Sequence, residues 1–373
     1  MSHTPLLEAL LARPENERPR VVADYRGAAT AAQFANPQSE FTALQNACGV
    51  YDLGFRARLS ITGNDRMRWL NGMVTNNIRD LAVGRGVYAF LLNPQGHILG
   101  DMYVFNDGDQ LLVETDCSQV EKIIATFDHY IIMDDVIVTN LSWQTAVGVA
   151  GPRARALLNA ARILIPELKP LETISLQCDC DCGCVQCTVV RGDDAHESYE
   201  IWLDAGQAYA AWRTLLTAGA VPVGSEALEM HRIVSGTPLY GVDIRERDLP
   251  QETEQTRALS FDKGCYVGQE IVERIRSRGS VHRKFTGFTT EGAAAIPPGA
   301  KIVSGDKEVG EITSVAVLHL ASGDRTVALG YIRRELGVPG REIMIGNIRA
   351  TVIQMPFNRL ASEHIRDAVI HGV

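Results

Sequence analysis

Alternation of apolar and polar positions dominates the chain from Val50 to about residue 140. Ala57-Arg58-Leu59-Ser60-Ile61 predicts a strand. It closes at the turn chemistry of Thr62-Gly63-Asn64-Asp65, where Asn64 or Asp65 is placed to cap a helix through Met67, Trp69 and Leu70. Strands are predicted at 87–92, 98–105 and 110–114, a helix at 118–130 and a strand at 136–139. That mixture of strands and helices is the pattern of an α+β unit.

A second stretch of similar grammar begins near Ser142. It predicts a strand at 145–150, then a helix through Ala154, Leu157 and Leu158 with Pro152 in its first turn. Strands at 173–177, 185–191 and 198–203 and a helix at 206–218 complete it near Pro222. Before both units, 1–40 holds a helical pattern at Leu6, Leu7, Leu10 and Leu11, followed by a Pro, Gly and Ala-rich connection. After them comes a helix at 225–235 and an irregular stretch to Ser280. Beyond Val281 the texture changes to short strands at 284–289, 301–303, 308–317, 326–332, 342–345 and 348–354. Gly and Pro punctuate them, as in a small all-β barrel or sandwich.

The length of 373 residues exceeds one hydrophobic core and predicts two or three domains. Hydrophobic content of 46% and charge of 22% are those of an ordinary soluble globular protein. No apolar run is long enough to span a bilayer, and Glu8, Arg13 and Pro14 stand where a leader would be apolar, so a cytoplasmic location without membrane association is expected. The formal charge of −9 argues against broad nucleic-acid binding, leaving any such contact local or indirect. Eight cysteines in such a protein predict thiols or metal ligands before disulfides.

The densest candidate chemistry is Lys263-Gly264-Cys265-Tyr266-Val267-Gly268-Gln269-Glu270. Its two glycines allow the thiol of Cys265 to sit at a loop tip. Ile271 and Ile275 lie one turn apart, as do Glu270 and Arg274, so a helix begins just after Cys265. Its partial positive charge and Lys263 would favour the thiolate; the competing reading is a buried structural cysteine. Asp101 follows the turn Asn93-Pro94-Gln95-Gly96 and, on sequence alone, is a strand-edge carboxylate in solvent. Glu200 and Trp202 share one face of a predicted strand while Tyr199, Ile201 and Leu203 share the other. A half-buried carboxylate there needs a partner, either a ligand's donor pair or an ion pair on a neighbouring strand. Arg274, Arg276, Arg278, Arg283 and Lys284 form a basic run that is a solvated face, a field for an anionic ligand tail, or an RNA backbone contact, for which aromatic interleaving is missing. Five cysteines fall within 178–187, but only Cys184-Val185-Gln186-Cys187 has metal-knuckle spacing and nothing completes it, so a β-hairpin is expected there and no metal site is assigned.

The run KGCYVGQE, with Leu249-Pro250-Gln251-Glu252-Thr253 ahead of it, resembles the signature of the folate-binding YgfZ family. These are relatives of the glycine-cleavage T-protein, an aminomethyltransferase, that act in iron–sulfur cluster maintenance. The resemblance runs over nearly the whole chain. It implies an α+β, T-protein-like, three-lobed arrangement with antiparallel sheets. Its parts are a first folate-binding unit at 1–140 completed by 225–280, a second unit at 141–224, a returning segment at 225–280 carrying the KGCYVGQE run, and a C-terminal β-barrel at 281–360. It implies tetrahydrofolate, or a one-carbon derivative of it, in a central hole against Glu200, which matches a Gly-Tyr-Glu-Ile motif with Ser198 in place of the glycine. Asp101 matches one of a pair of aspartates that act on the folate nitrogens, reduced here to Gly100-Asp101. Arg232, upstream of Tyr240-Gly241-Val242-Asp243, would hold the folate or brace Glu200, or form an internal salt bridge. Lys263, Tyr266 and Gln269 are implied cofactor-binding residues as well, with Tyr266 and Gln269 shaping the loop of Cys265, which would act as thiolate or transient ligand. The implied function is an accessory role in iron–sulfur cluster assembly or repair, with assembly proteins or cluster-dependent client enzymes, including those that thiolate tRNA, as partners. The rivals are a folate-dependent aminomethyltransferase or demethylase, for which Asp101 would be essential, and a pure binding module.

Overall fold

The computed structural model describes residues 2–180, 183–193, 197–320 and 322–357. The chain divides into two compact units, the first made of Met1–Leu91, Asp101–Leu228 and Asp262–Tyr266. Its larger sheet has six strands in the order Thr173–Cys180, Gly183–Arg191, Ser198–Asp204, Gln144–Ala150, Gly49–Asp52, Val221–Val223. All neighbours in it are antiparallel except the last pair. Alternation sorts its residues as the sequence predicts. Val147, Val149, Tyr199, Ile201 and Leu203 turn to one side, where Leu6, Leu158, Trp212 and Leu215 from the helices Pro5–Leu11, Ala154–Ala160 and Ala208–Thr217 close a dry core. Each such side chain contributes about 1.5–3 kcal/mol by leaving water. Ala146, Val190 and Trp202 turn to the other side and share a second core with Phe55, Phe105 and Leu112. The last two stand on a five-stranded sheet ordered Arg85–Leu92, Ile98–Asn106, Leu111–Asp116, Arg56–Thr62, Ile137–Asn140.

Three local expectations are corrected here. The supposed connection before residue 40 folds as the hairpin Val21–Tyr25/Ala28–Gln33 and the helix Pro37–Asn46; its alanines are poor strand formers and hid the alternation. The helix Arg66–Met73 begins without a side-chain cap, because the Asp65 carboxylate accepts the Asp135 amide instead, at 2.9 Å. And Gly49–Asp52, at the start of the stretch expected to form the first α+β unit (1–140), pairs with Gln144–Ala150 from the stretch expected to form the other (141–224).

The second unit groups Leu92–Gly100, Glu229–Phe261 and Val267–Val373. As the Gly and Pro punctuation predicts, it contains a closed six-stranded barrel. The order is Arg283–Glu291, Gly323–Arg333, Lys307–Leu320, Lys301–Ser304, Glu342–Ile345, Ile348–Ile353, filled by Phe288, Ile302, Ile312, Ile332, Ile343 and Val352. The helix Gln269–Arg278 starts one residue after Gly268, whose φ is 81° and whose missing Cβ would stand 2.6 Å from the Asn93 carbonyl oxygen. Gly264 has no such constraint: a Cβ there would meet nothing within 4 Å. Gly268→Ala is therefore expected to lower stability by about 1–3 kcal/mol, whereas Gly264→Ala leaves it unchanged; thermal denaturation of the two variants checks the contrast.

Candidate functional site

The site in the first unit is built on two antiparallel strands whose charges face in register. Arg56 is opposite Asp116 and Arg58 is opposite Glu114. Arg56 donates from Nη1 to Asp116 at 2.8 Å and from Nη2 to Glu114 at 3.2 Å, and Arg58 Nη2 reaches the other oxygen of Glu114 at 3.0 Å. Arg58, Glu114 and Asp116 are each at most 3% exposed. Buried ion pairs of this kind add little net stability, since desolvation offsets their attraction, but they fix geometry tightly. Arg58 also lies over the Trp202 ring, 4.4 Å from its centroid. Its Nε and Nη1 are buried and meet no acceptor among the described residues.

Glu200 stands beside Trp202 on the inter-sheet face of Ser198–Asp204, and its Oε2 accepts the indole Nε1–H at 2.8 Å. No other donor among the described residues reaches its carboxylate, so Oε1 is open and the group is half-buried. Burial, then the charge of Glu114, push its pKa up to about 7, against the pull of Arg56 and Arg58. Asp101 is not at a sheet edge, because its strand lies between Arg85–Leu92 and Leu111–Asp116. Both its oxygens are held: Tyr88 Oη donates to Oδ2 at 2.7 Å and Gln119 Nε2 to Oδ1 at 2.8 Å, while Gln119 Oε1 accepts the Asp101 amide at 3.0 Å. Burial and the nearby Asp116 raise its pKa. Arg56 acts on both Asp101 and Glu200, so the structure brings these two predicted residues into one charge network. The arrangement offers a carboxylate poised between proton states, a second carboxylate locked in orientation, and the rings of Tyr88, Tyr103 and Trp202 beside them. It suits a planar polar ligand carrying adjacent N–H donors.

The Asp262–Tyr266 segment belongs to the same unit. Cys265 is exposed, which rules out the buried structural reading. The Lys263 Nζ is buried and donates to the carbonyls of Asn71 at 2.5 Å, Val74 at 2.5 Å and Asn76 at 2.8 Å, 4.8 Å from the centroid of the buried Tyr266 ring. Gln269 is half-buried and opens the helix Gln269–Arg278 in the second unit.

The structure places Arg232 in that second unit, where it forms the internal salt bridge. Its guanidinium bonds Asp243 at 2.6 Å, Ser314 at 2.8 Å, the Thr237 carbonyl at 2.6 Å and Glu229. The basic run is similarly reduced. Arg283 is clamped by Glu252 at 2.9 and 3.0 Å and Asp248 at 2.6 Å, and Arg276 pairs with Glu273. Among the described residues neither Glu270 nor Arg274 enters an ion pair, so their expected pairing is not made. The hairpin reading of the cysteine run fits the pairing of Thr173–Cys180 with Gly183–Arg191, but Cys182 and the side chains of Cys178, Cys180 and Cys184 lie outside the described residues. Among the described residues no cluster of metal-ligating side chains occurs.

The sheet-bearing unit and the closed six-stranded barrel each match a known domain family. The chain belongs to the glycine cleavage T-protein family: residues 16–263 match the GCVT N-terminal domain and residues 283–358 the glycine cleavage T-protein C-terminal barrel domain. Among curated relatives, the aminomethyltransferase of Nostoc sp. is 26% identical over 352 residues, covering 89% of this chain and 90% of that one. The aminomethyltransferase of Rubrobacter xylanophilus is 27% identical over 342 residues, covering 90% of each. A putative chloroplastic transferase from Arabidopsis thaliana is 26% identical, covering 89% of this chain and 76% of that one. The crystal structure of glycine cleavage system aminomethyltransferase T from Bartonella henselae superposes with a TM-score of 0.79 at 20% identity, covering 90% of this chain and 94% of that one. No described helix is long and apolar enough to cross a membrane.

Proposed function

We propose that this chain binds tetrahydrofolate, or a one-carbon derivative of it, at Glu200 and serves as an accessory factor in iron–sulfur cluster assembly or repair, as its KGCYVGQE run resembles the YgfZ signature. The observation that carries the folate reading is the open carboxylate of Glu200, fixed by Trp202 and flanked by Arg56 and Arg58. A pterin presents a 2-amino group and an adjacent ring N–H, which a carboxylate accepts in parallel. Glu200 Oε1 is open and Oε2, which accepts the Trp202 indole N–H, keeps a second lone pair, and Tyr88 and Tyr103 supply aromatic surface, so the residues present fit the group. Glu200 would orient the ring, and Asp101, held by Tyr88 and Gln119, would face its nitrogens. The cluster role rests on Cys265, an exposed thiol that this site does not use. Its clients would be cluster-dependent enzymes, those that thiolate tRNA among them.

The test is the activity of a 4Fe–4S enzyme in cells lacking this protein. The native chain is expected to restore it, and Cys265→Ala to leave it at the level of the deletion. Equal rescue by both removes the thiol from the function. A second reading, folate-dependent aminomethyl transfer or demethylation, is favoured by Asp101, whose raised pKa and two fixed hydrogen bonds suit a proton acceptor at a developing ammonium. Turnover of an aminomethyl or methylamine donor with tetrahydrofolate, lost in Asp101→Asn and kept in Cys265→Ala, would establish it instead.

A further inference from the structure

We infer that Lys263 is a positioning residue whose ammonium, by serving three backbone carbonyls at the end of the helix Arg66–Met73, seats the segment that presents Cys265. This inference rests on Cys265 being the functional thiol. The carbonyls of Asn71, Val74 and Asn76 lie at the C-terminal end of that helix, where helical partners run out and the macrodipole is negative. A cation from 187 to 192 residues away in sequence supplies the missing donors. Three acceptors within 2.8 Å can all be served only by the charged amine, which has three N–H groups where the neutral one has two. Burial pushes its pKa down to about 7, while the bonds to three carbonyls favour the charged form.

The receiving turn is itself rigid. Asn71 Oδ1 accepts the amides of Ile78 at 3.0 Å and Arg79 at 3.2 Å, and Thr75 exchanges bonds with Phe90 through its amide at 3.0 Å and its hydroxyl at 2.9 Å. Asn76 Nδ2 donates to the Tyr88 carbonyl at 2.8 Å, and the same Tyr88 holds Asp101 through its hydroxyl. Lys263 therefore ties the Cys265 segment to the strand Arg85–Leu92, whose Tyr88 holds the Asp101 carboxylate. Tyr266, with its ring beneath the ammonium, closes the other side of Cys265. Gly264 and Cys265 are exposed between these two anchors, so the thiol is presented outward from a fixed base.

Two measurements test this. In the native protein, acetic anhydride should label Lys263 at least about tenfold more slowly than the exposed Lys307, since reaction requires local opening. Labelling at the rate of Lys307 overturns the clamp, and this arm needs no variant. In cells, Lys263→Met should fail to restore the 4Fe–4S enzyme although Cys265 remains titratable. In that variant amide exchange should quicken by about tenfold or more around 71–78, with the barrel strand Lys307–Leu320 unchanged. Acceleration throughout the chain would make Lys263 merely structural, and full rescue would remove its positioning role. If Cys265→Ala itself rescues, the cluster reading fails, while the labelling result still decides the clamp.

Discussion

Glu200→Gln is expected to weaken tetrahydrofolate binding about 100-fold or more while making the free protein more stable at pH 8. The loss follows from replacing a carboxylate that accepts two N–H donors with an amide that sets its own NH₂ against one of them, stranding a buried donor. The gain follows from the raised pKa. The folded protein keeps a proton on Glu200 up to about pH 7, while the unfolded chain gives it up near the ordinary value of 4.5. The native state thus binds more protons between these values, and stability falls as pH rises from about 4.5 to about 7, then stays level. Glutamine removes that fall and keeps an acceptor for Trp202. The variant should gain about 1–3 kcal/mol at pH 8 and nothing near pH 4. Ligand binding has the opposite sign. It needs the carboxylate, so wild-type affinity should drop about tenfold per unit as pH falls below 7. Isothermal titration at pH 6, 7 and 8 and denaturant melts at pH 4 and 8 check both halves. Unchanged affinity in the variant would take the folate reading away from Glu200.

The alternation around Glu200 and Trp202 was legible because a strand's two-residue period assigns faces without knowledge of partners. So was the barrel, from its Gly and Pro spacing. The charges near Glu200 carry a signal in the sequence: Arg56 and Arg58 are spaced by two in one strand, Glu114 and Asp116 in another, both within apolar surroundings. Two matched pairs at that period predict facing strands, but the register that joins them is a tertiary fact. Lys263 is a different case. Proximity in sequence suggested it would act on Cys265, whereas three carbonyls near residue 74 hold its charge. Backbone acceptors carry no residue code, so no motif announces them. The early hairpin Val21–Tyr25/Ala28–Gln33 was hidden by alanine, which fits either face.

Arg232→Met is expected to destabilise the second unit by about 3–5 kcal/mol and to leave tetrahydrofolate affinity of the folded protein unchanged. Arg232 is the cation for Asp243, which is fully buried and also accepts from Ser314 at 2.8 Å, the Leu239 amide at 2.9 Å and Thr313. Methionine fills most of the arginine's volume, so the loss is electrostatic: a carboxylate stays in the interior without its cation, and the Thr237 carbonyl loses its donor. Glu229 is a contrast on the same arginine. Its side chain is 31% exposed, so water replaces the partner in Glu229→Ala, and the cost should stay within about 1 kcal/mol. Hydrogen exchange of Lys307–Leu320, whose Thr313 and Ser314 hold Asp243, reads the effect directly. Faster exchange in Arg232→Met with normal ligand affinity makes this arginine the keystone of the barrel unit. Normal exchange with affinity lost about tenfold or more would instead restore it to the ligand, at the place the sequence pattern first suggested.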